Sequence, residues 1–229
     1  MTWIAYLATG AIAFALGSIP FGLIIGKLVY HMDIRNVGSG NIGTTNAMRA
    51  MGFRGGAVVF ILDFGKGLLS GLIALATSNA ALGQVPTLDF PCQLDFLAIA
   101  FFMCTAGHIY SPWLNFKGGK GIAVAVGCMF IAYGPLWALI ELGLFAVIVI
   151  ATRYVSAGSI AAAVLCVILG VVLYFGHPVA MIFGAGTGAI VAWAHRGNFE
   201  RLLAGTERRV GQKKGSQLGS TDSAKGPDA

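Results

Sequence analysis

"MTWIAYLATGAIAFALGSIPFGLIIGKLVY", residues 1–30, contains a single charged side chain, Lys27. A run this long and this apolar suits a helix crossing ~30 Å of hydrocarbon. No basic segment precedes it and no small-residue cleavage site interrupts it, so it reads as a retained first span and not as a removed leader. That reading settles what comes next. Gly38-Ser39-Gly40-Asn41-Ile42-Gly43 is a literal G-x-G-x-x-G, and Asp63 follows its last glycine by twenty residues. A dinucleotide fingerprint, however, needs a short buried strand before the glycines and a helix after them. A strand of ~5–6 residues cannot be cut from these thirty, and Asp63 lies inside the next apolar run. The dinucleotide reading is excluded.

The rest of the chain agrees with a membrane protein. Of 229 residues, 57% are hydrophobic and 10% charged, where a soluble domain carries roughly 25% charged residues. Thirty-three glycines fit the same class, because small residues let transmembrane helices approach closely. Gly22-x-x-x-Gly26 and Gly184-x-x-x-Gly188 are read as such packing faces. Apolar runs at about 2–30, 54–78, 94–113, 121–133, 135–151, 158–176 and 178–195 predict an all-α polytopic fold of seven transmembrane helices. Five spans result if 121–151 and 158–195 are each one helix, but Pro135 and Pro178 favour splitting. Cys92, Cys104, Cys128 and Cys166 form no C-x-x-C pair and read as small packing residues.

Charge orients the fold. With seven spans, Lys27, Arg35, Arg49, Arg54, Lys117, Lys120, Arg153 and the seven basic residues from Arg196 onward fall on one side, while Asp89 and Asp95 mark the other. The positive-inside rule then places the N-terminus outside and the C-terminus in the cytoplasm. Residues 1–209 are read as one integral-membrane domain. Residues 210–229 are rich in Gly, Ser and Lys, lack aromatic residues, and are read as a disordered cytoplasmic tail.

Three polar clusters gather on the basic side. The first, "RNVGSGNIGTTNAMR" at 35–49, combines closely spaced glycines, whose N–H groups are free to meet an anion, with Ser39, Asn41, Thr44, Thr45, Asn46 and Arg49. A plain turn would not need so many polar donors. In the second, "GHIYSPWLNFKGGKGIAVAVG" at 107–127, Lys117-Gly118-Gly119-Lys120-Gly121 leads straight into a helix, and two ammonium groups beside a helix N-terminus attract anions. It is not a Walker A loop, since that spacing is missing. A basic topology anchor would look similar. The third, "AHRGNFERLLAGTERR" at 194–209, places His195 at the end of a span with Arg196, Asn198, Arg201 and Glu207 behind it, groups suited to hydrogen bonding or to acting as a base. Asp63 and Lys66 stand three residues apart within a span, where charges mark function or a neutralising pair. Ser156 lines the same chamber or caps the next helix.

Taken together and in this order, "GSGNIGTTNAMR", "GHIYSPWLNFKGGKGIA" and "HRGNFERLLAGTE", with "GSIPFG", "DFGKG" and "RYVS" in support, resemble the bacterial membrane acyl-phosphate:glycerol-3-phosphate acyltransferase family over about residues 14–209. Thr44 stands where that family usually has alanine. The resemblance implies a seven-span enzyme of the bacterial inner membrane with its active site facing the cytoplasm. It implies acyl transfer from acyl phosphate to glycerol 3-phosphate, giving 1-acylglycerol 3-phosphate for phospholipid synthesis. It further implies that Ser39, Arg49, Lys117 and Lys120 bind phosphate groups, and that Ser156, His195 and Asn198 match other polar positions of the site. We extend the expected phosphate-binding set to Gly40, Asn41, Thr45, Asn46, Gly118 and Gly119. Asp63, Lys66, Arg201 and Glu207 are expected to support it. His195 and Asn198 are expected to orient substrate, with His195 the alternative base to a proton transfer assisted by the substrate's own phosphate.

No cofactor, metal, nucleic acid or obligatory protein partner is expected beyond the two substrates and membrane lipid. A phosphate transporter would also place basic residues in a bundle of small residues, but no paired half-repeats with broken segments are visible. A metal-dependent alcohol phosphotransferase needs clustered carboxylates, and the loops on the basic side between spans contain only Asp33.

Overall fold

The computed structural model describes residues 2–83 and 91–212, and every regular element in them is helical. Asp89 and the tail from residue 213 onward lie outside the described residues, as do the surroundings of the Cys92 side chain. The other three cysteines are free and buried, as packing residues should be.

The first apolar run is not one helix. It breaks into α1, Thr2–Ser18, and α2, Phe21–Val29, because Pro20 has no N–H to continue the ladder. The carbonyls released at the break find side-chain donors. Ser111 Oγ donates to Ser18 O at 2.6 Å and Lys66 Nζ to Ile19 O at 2.7 Å. The second run is longer than its apolar stretch: α3 spans Thr44–Leu82 and is interrupted at Gly52, where φ 73° and ψ −178° bend the chain between two helical segments. Next come α4, Pro91–Ile109, the short α5, Ile122–Ala132, and α6, Pro135–Thr152. The last three helices are α7, Val155–Leu173, α8, Pro178–Ala194, and the amphipathic α9, Arg196–Leu203. Helix breaks therefore occur at both Gly134-Pro135 and His177-Pro178.

Helix α4 is the most enclosed of the long helices and packs against α1, α3, α5 and α8, whereas α6 touches mainly α5 and α7 and is largely uncovered. The closest approaches use glycines reciprocally. Gly17 of α1 faces the Cys104 carbonyl and Gly107 of α4 faces that of Phe14; Gly67 of α3 faces the Val124 carbonyl and Gly127 of α5 that of Phe64. Any side chain there would push the helices apart, which is how small residues create transmembrane packing. Gly184 and Gly188 belong to such a face, against Tyr174 and α7, but Gly22 and Gly26 receive the loop residues Ile42 and Ile34 instead. The core between α1, α3, α4, α5, α7 and α8 is filled by residues such as Phe96, Phe101, Val124 and Met129. Trp3, Leu7, Phe53, Ile150, Phe175 and other large apolar side chains point outward, as lipid-facing surfaces require.

Among the described residues, five helical segments are long and apolar enough to cross a bilayer, counting α1 and α2 as one, and α8 with α9 makes a further candidate bent by 52°. Helix α5, with 11 residues, rises only about 16 Å. It does not reach across ~30 Å of hydrocarbon unaided.

Candidate active site

All three clusters border one cavity of about 1100 Å³, which runs from the ends of α3, α5, α7 and α8 down between α5, α6 and α7. The loop 37–43 forms one wall. Its shape depends on Asn46, which is buried. The Asn46 amide donates to Ile34 O at 2.8 Å and to Asn41 O at 2.7 Å, and its oxygen accepts the Ser39 N–H at 2.9 Å. Asn41 Oδ1 accepts the Gly43 N–H, and the Gly40 N–H donates to Val37 O. Half of the N–H groups expected to cradle an anion, those of Ser39, Gly40 and Gly43, are thus engaged within the loop. What it presents to the cavity are the Ser39 and Thr45 side chains, the buried, unpartnered Thr44 hydroxyl, the α3 N-terminus and Arg49. Arg49 forms no hydrogen bond or salt bridge among the described residues, so its guanidinium is available to an anion.

The second loop behaves differently. Gly118 and Gly119 donate their N–H groups to Ile109 O and His108 O at 2.9 and 3.0 Å, and Gly119 lies against the His108 ring. Neither glycine borders the cavity, nor do Gly40 and Lys117. The expectation that these four bind phosphate meets a physical obstacle: the N–H groups of the three glycines are already donated, and the exposed Lys117 does not line the cavity. The loop delivers Lys120 and Gly121, and with them the N-terminus of α5. Burial, with Arg201 and Arg49 nearby, pushes the Lys120 ammonium down to about 8 despite the opposing pull of Glu207. A bound phosphate would reverse that penalty by supplying the missing negative charge.

The third cluster closes the mouth. Lys120 Nζ donates to Asn198 Oδ1, Asn198 Nδ2 donates to Glu207 Oε1 at 2.9 Å, and Arg201 Nε donates to Glu207 Oε2 at 2.7 Å. Burial opposes the Glu207 charge, but the hydrogen bonds from Asn198 and Arg201 outweigh it and hold the carboxyl below its ordinary value. The Ser156 hydroxyl faces the same carboxylate without completing a hydrogen bond of good geometry. His195, buried, donates from Nδ1 to Val191 O at 2.8 Å in its neutral form, leaving Nε2 as the nitrogen with a free lone pair. Past α9 the chain turns back, and the Val210 N–H donates to Arg153 O.

One member of the site is absent from the sequence reading. Asp63 and Lys66 do pair, at 2.9 Å, but His108 completes the group, with Nδ1 accepting from Lys66 Nζ at 3.0 Å. All three are buried, and Asp63 and His108 border the cavity. A lone histidine in an apolar run looks like core. The available signal was Lys66 itself, whose ammonium needs more acceptors than one carboxylate provides.

A wall of cations beside an apolar channel is what a phosphorylated lipid precursor would require, and the comparisons lead to the same place. Residues 7–205 match the family model described as glycerol-3-phosphate acyltransferase. The chain belongs to the glycerol-3-phosphate acyltransferase family. It is 38% identical to the glycerol-3-phosphate acyltransferase of Roseobacter denitrificans, with 90% of this chain and 94% of that one aligned. It is 39% identical to the one from Anaeromyxobacter dehalogenans, covering 87% and 94%. Among solved structures it is similar to the integral membrane glycerol 3-phosphate acyltransferase PlsY in its glycerol 3-phosphate form, with a TM-score of 0.76 and 38% identity over 90% of this chain and 96% of that chain. The lysophosphatidic acid form of PlsY matches with a TM-score of 0.72 and 35% identity, covering 89% and 94%. This acyltransferase family member is therefore a multi-pass, helical membrane protein.

Proposed function

We propose that this protein transfers a fatty acyl group from acyl phosphate to glycerol 3-phosphate, releasing phosphate and forming lysophosphatidate on the cytoplasmic side of a bacterial inner membrane. The single observation that carries the reading is the continuity of the cavity. Arg49, Lys120 and Arg201 stand at its mouth, and it continues between α5, α6 and α7, whose lining there is mostly apolar: Val126, Leu142, Phe145, Val149 and Ala162. Two phosphorylated substrates, one with a hydrocarbon tail, fit such a division. The excess of basic residues on the side of the mouth supports a cytoplasmic orientation, with the N-terminus outside.

Acyl phosphate is already an activated mixed anhydride, so positioning and charge stabilisation supply most of what is needed. The acceptor oxygen attacks the acyl carbon, the bond to the phosphate oxygen breaks, and phosphate leaves. The hydroxyl proton passes to a substrate phosphate, whose second ionisation lies near ~6 as a monoester. His195 and Asn198 hold the reacting groups in place, and the N-termini of α3 and α5 favour the negative charge that develops.

The test is incubation of purified protein with acyl phosphate and glycerol 3-phosphate, with lysophosphatidate as the readout and acyl-CoA as the competing donor. Product from acyl phosphate alone supports the reading. Equal turnover with acyl-CoA would overturn it.

A further inference from the structure

Glu141 takes no part in the chemistry above, yet its position within the cavity is unusual. It is 4% exposed, it borders the cavity, and its Oε2 is enclosed with no hydrogen-bond partner. No salt bridge involves it among the described residues. The channel lining around it comprises Leu142, Phe145 and Val149 on its own helix, Val126 on α5, and Ala162 and Ser159 on α7, the Ser159 hydroxyl being already donated to Val155 O. The Tyr133 hydroxyl, within electrostatic reach, is already donated to Cys166 O.

Its depth follows from the hairpin. Glu141 lies twelve residues before Arg153, and Cys166, also within its electrostatic reach, lies twelve after Tyr154. The two are therefore level on antiparallel helices. From Ser156, beside the cations, to Cys166 the rise of α7 is about 15 Å. Half of the ~30 Å hydrocarbon core, the length available to one lipid chain, is the same distance. The carboxyl thus stands where the last carbons of a membrane-length acyl chain would arrive.

We propose that Glu141 is a polar stop at the end of the acyl-chain channel and sets the length of donor the enzyme accepts. The proposal rests on the acyl-phosphate reading above. A chain ending short of Glu141 leaves its other carboxyl oxygen, Oε1, open to water. A methyl end that reaches it displaces that water and offers no hydrogen bond in return, the arrangement by which a polar group in a binding site rejects an apolar competitor.

The experiment compares the wild type, Glu141→Leu and Glu141→Gln with saturated acyl phosphates of graded length, each profile normalised to that protein's own best donor. The wild type should show a length beyond which kcat/KM falls. Glu141→Leu should raise relative kcat/KM for donors just beyond that length by about tenfold or more, and Glu141→Gln should keep the wild-type cut-off. A second arm needs no variant. For the wild type, a donor of that greater length ending in a hydroxyl should be preferred over its methyl-ended counterpart by a similar factor. An unchanged cut-off in Glu141→Leu, or, where that variant does not fold, no gain from the terminal hydroxyl, overturns the role of Glu141 while turnover itself stands. Failure of every acyl phosphate to give lysophosphatidate would overturn the parent reading and this one with it.

Discussion

The two glycine-rich loops read alike in sequence, each a knot of glycines and polar residues running into a helix, yet they serve the cavity in different ways. Loop 37–43 lies along it and contributes hydroxyls, a helix N-terminus and, one turn into α3, Arg49. Loop 117–121 packs away from it, with Gly118 and Gly119 bonded to the end of α4, and contributes Lys120 and Gly121 from its far end. In neither loop are the glycines a bare cradle of N–H donors. Glycine density marks places where the backbone must come close to something, and the destination of each N–H decides whether that something can be a ligand.

The sharpest way to break this distinction is to remove the cations that each loop presents. Arg49→Ala and Lys120→Ala should each lower kcat/KM by about 10- to 150-fold, the equivalent of one charge-assisted hydrogen bond of ~1.5–3 kcal/mol. Steady-state assays on protein confirmed to be inserted would check it, and wild-type kinetics in either variant would return these residues to the role of topology anchors.

Next comes the packing role of the second loop. A methyl group on Gly118 would run into the backbone carbonyl of His108, which cannot swing aside. Gly118→Ala should destabilise the protein by about 1–3 kcal/mol, read as a lowered thermal unfolding midpoint in detergent. A methyl on Gly43 would meet only the Asn41 amide oxygen, at 3.1 Å, so Gly43→Ala should unfold closer to the wild type. Equal midpoints for the two would erase the contrast.

A smaller effect concerns pH. The Lys120 ammonium, held at about 8 by burial and the nearby Arg201 and Arg49, is present below that pH and lost above it. The apparent affinity for the phosphorylated substrates should therefore fall as pH rises through about 8. Lys120→Arg, whose guanidinium stays charged, should lose this alkaline limb even if its overall rate is lower. A limb that persists in the arginine variant would assign it to another group. The smallest effect belongs to Lys117→Ala. With its side chain outside the cavity, kcat/KM should change by no more than about twofold, as for an exposed charge. A loss matching that of Lys120→Ala would show that the loop rearranges to bring Lys117 in.

How much of this was legible beforehand depends on the range of the interaction involved. Apolar run lengths, the helix breaks at Pro135 and Pro178, and the gathering of three clusters at one end follow from composition and order along the chain, which a sequence displays directly. The pairing of Asp63 with Lys66 is local, three residues apart, and was equally readable. His108 joins that pair from another helix, and Asn46 turns its amide inward to Ile34. Both depend on where a distant segment comes to rest. The break at Pro20 was visible as a residue but not as a consequence, because the length of the run outweighed it. Glu141 is a different case. A carboxylate within "ALIELGL" falls under the same rule that singled out Asp63, that ionisable groups inside a span mark function, and only its isolation from any motif hid it.

The bend at Gly52 carries a mechanical meaning. Residues 44–51 form a short lever bearing Arg49, joined to the long shaft of α3 at one pivot. Nothing lies within 4 Å of where a side chain on Gly52 would project, so the space tolerates alanine while the backbone angle does not. A substitution there would leave the walls that α5, α6 and α7 contribute and the pairing of Asp63 in place, and would re-aim the lever together with the Thr44, Thr45 and Arg49 side chains it carries into the cavity. Damage at Gly52 should therefore look like damage to Arg49, some distance from any clash and with the bundle beneath it intact.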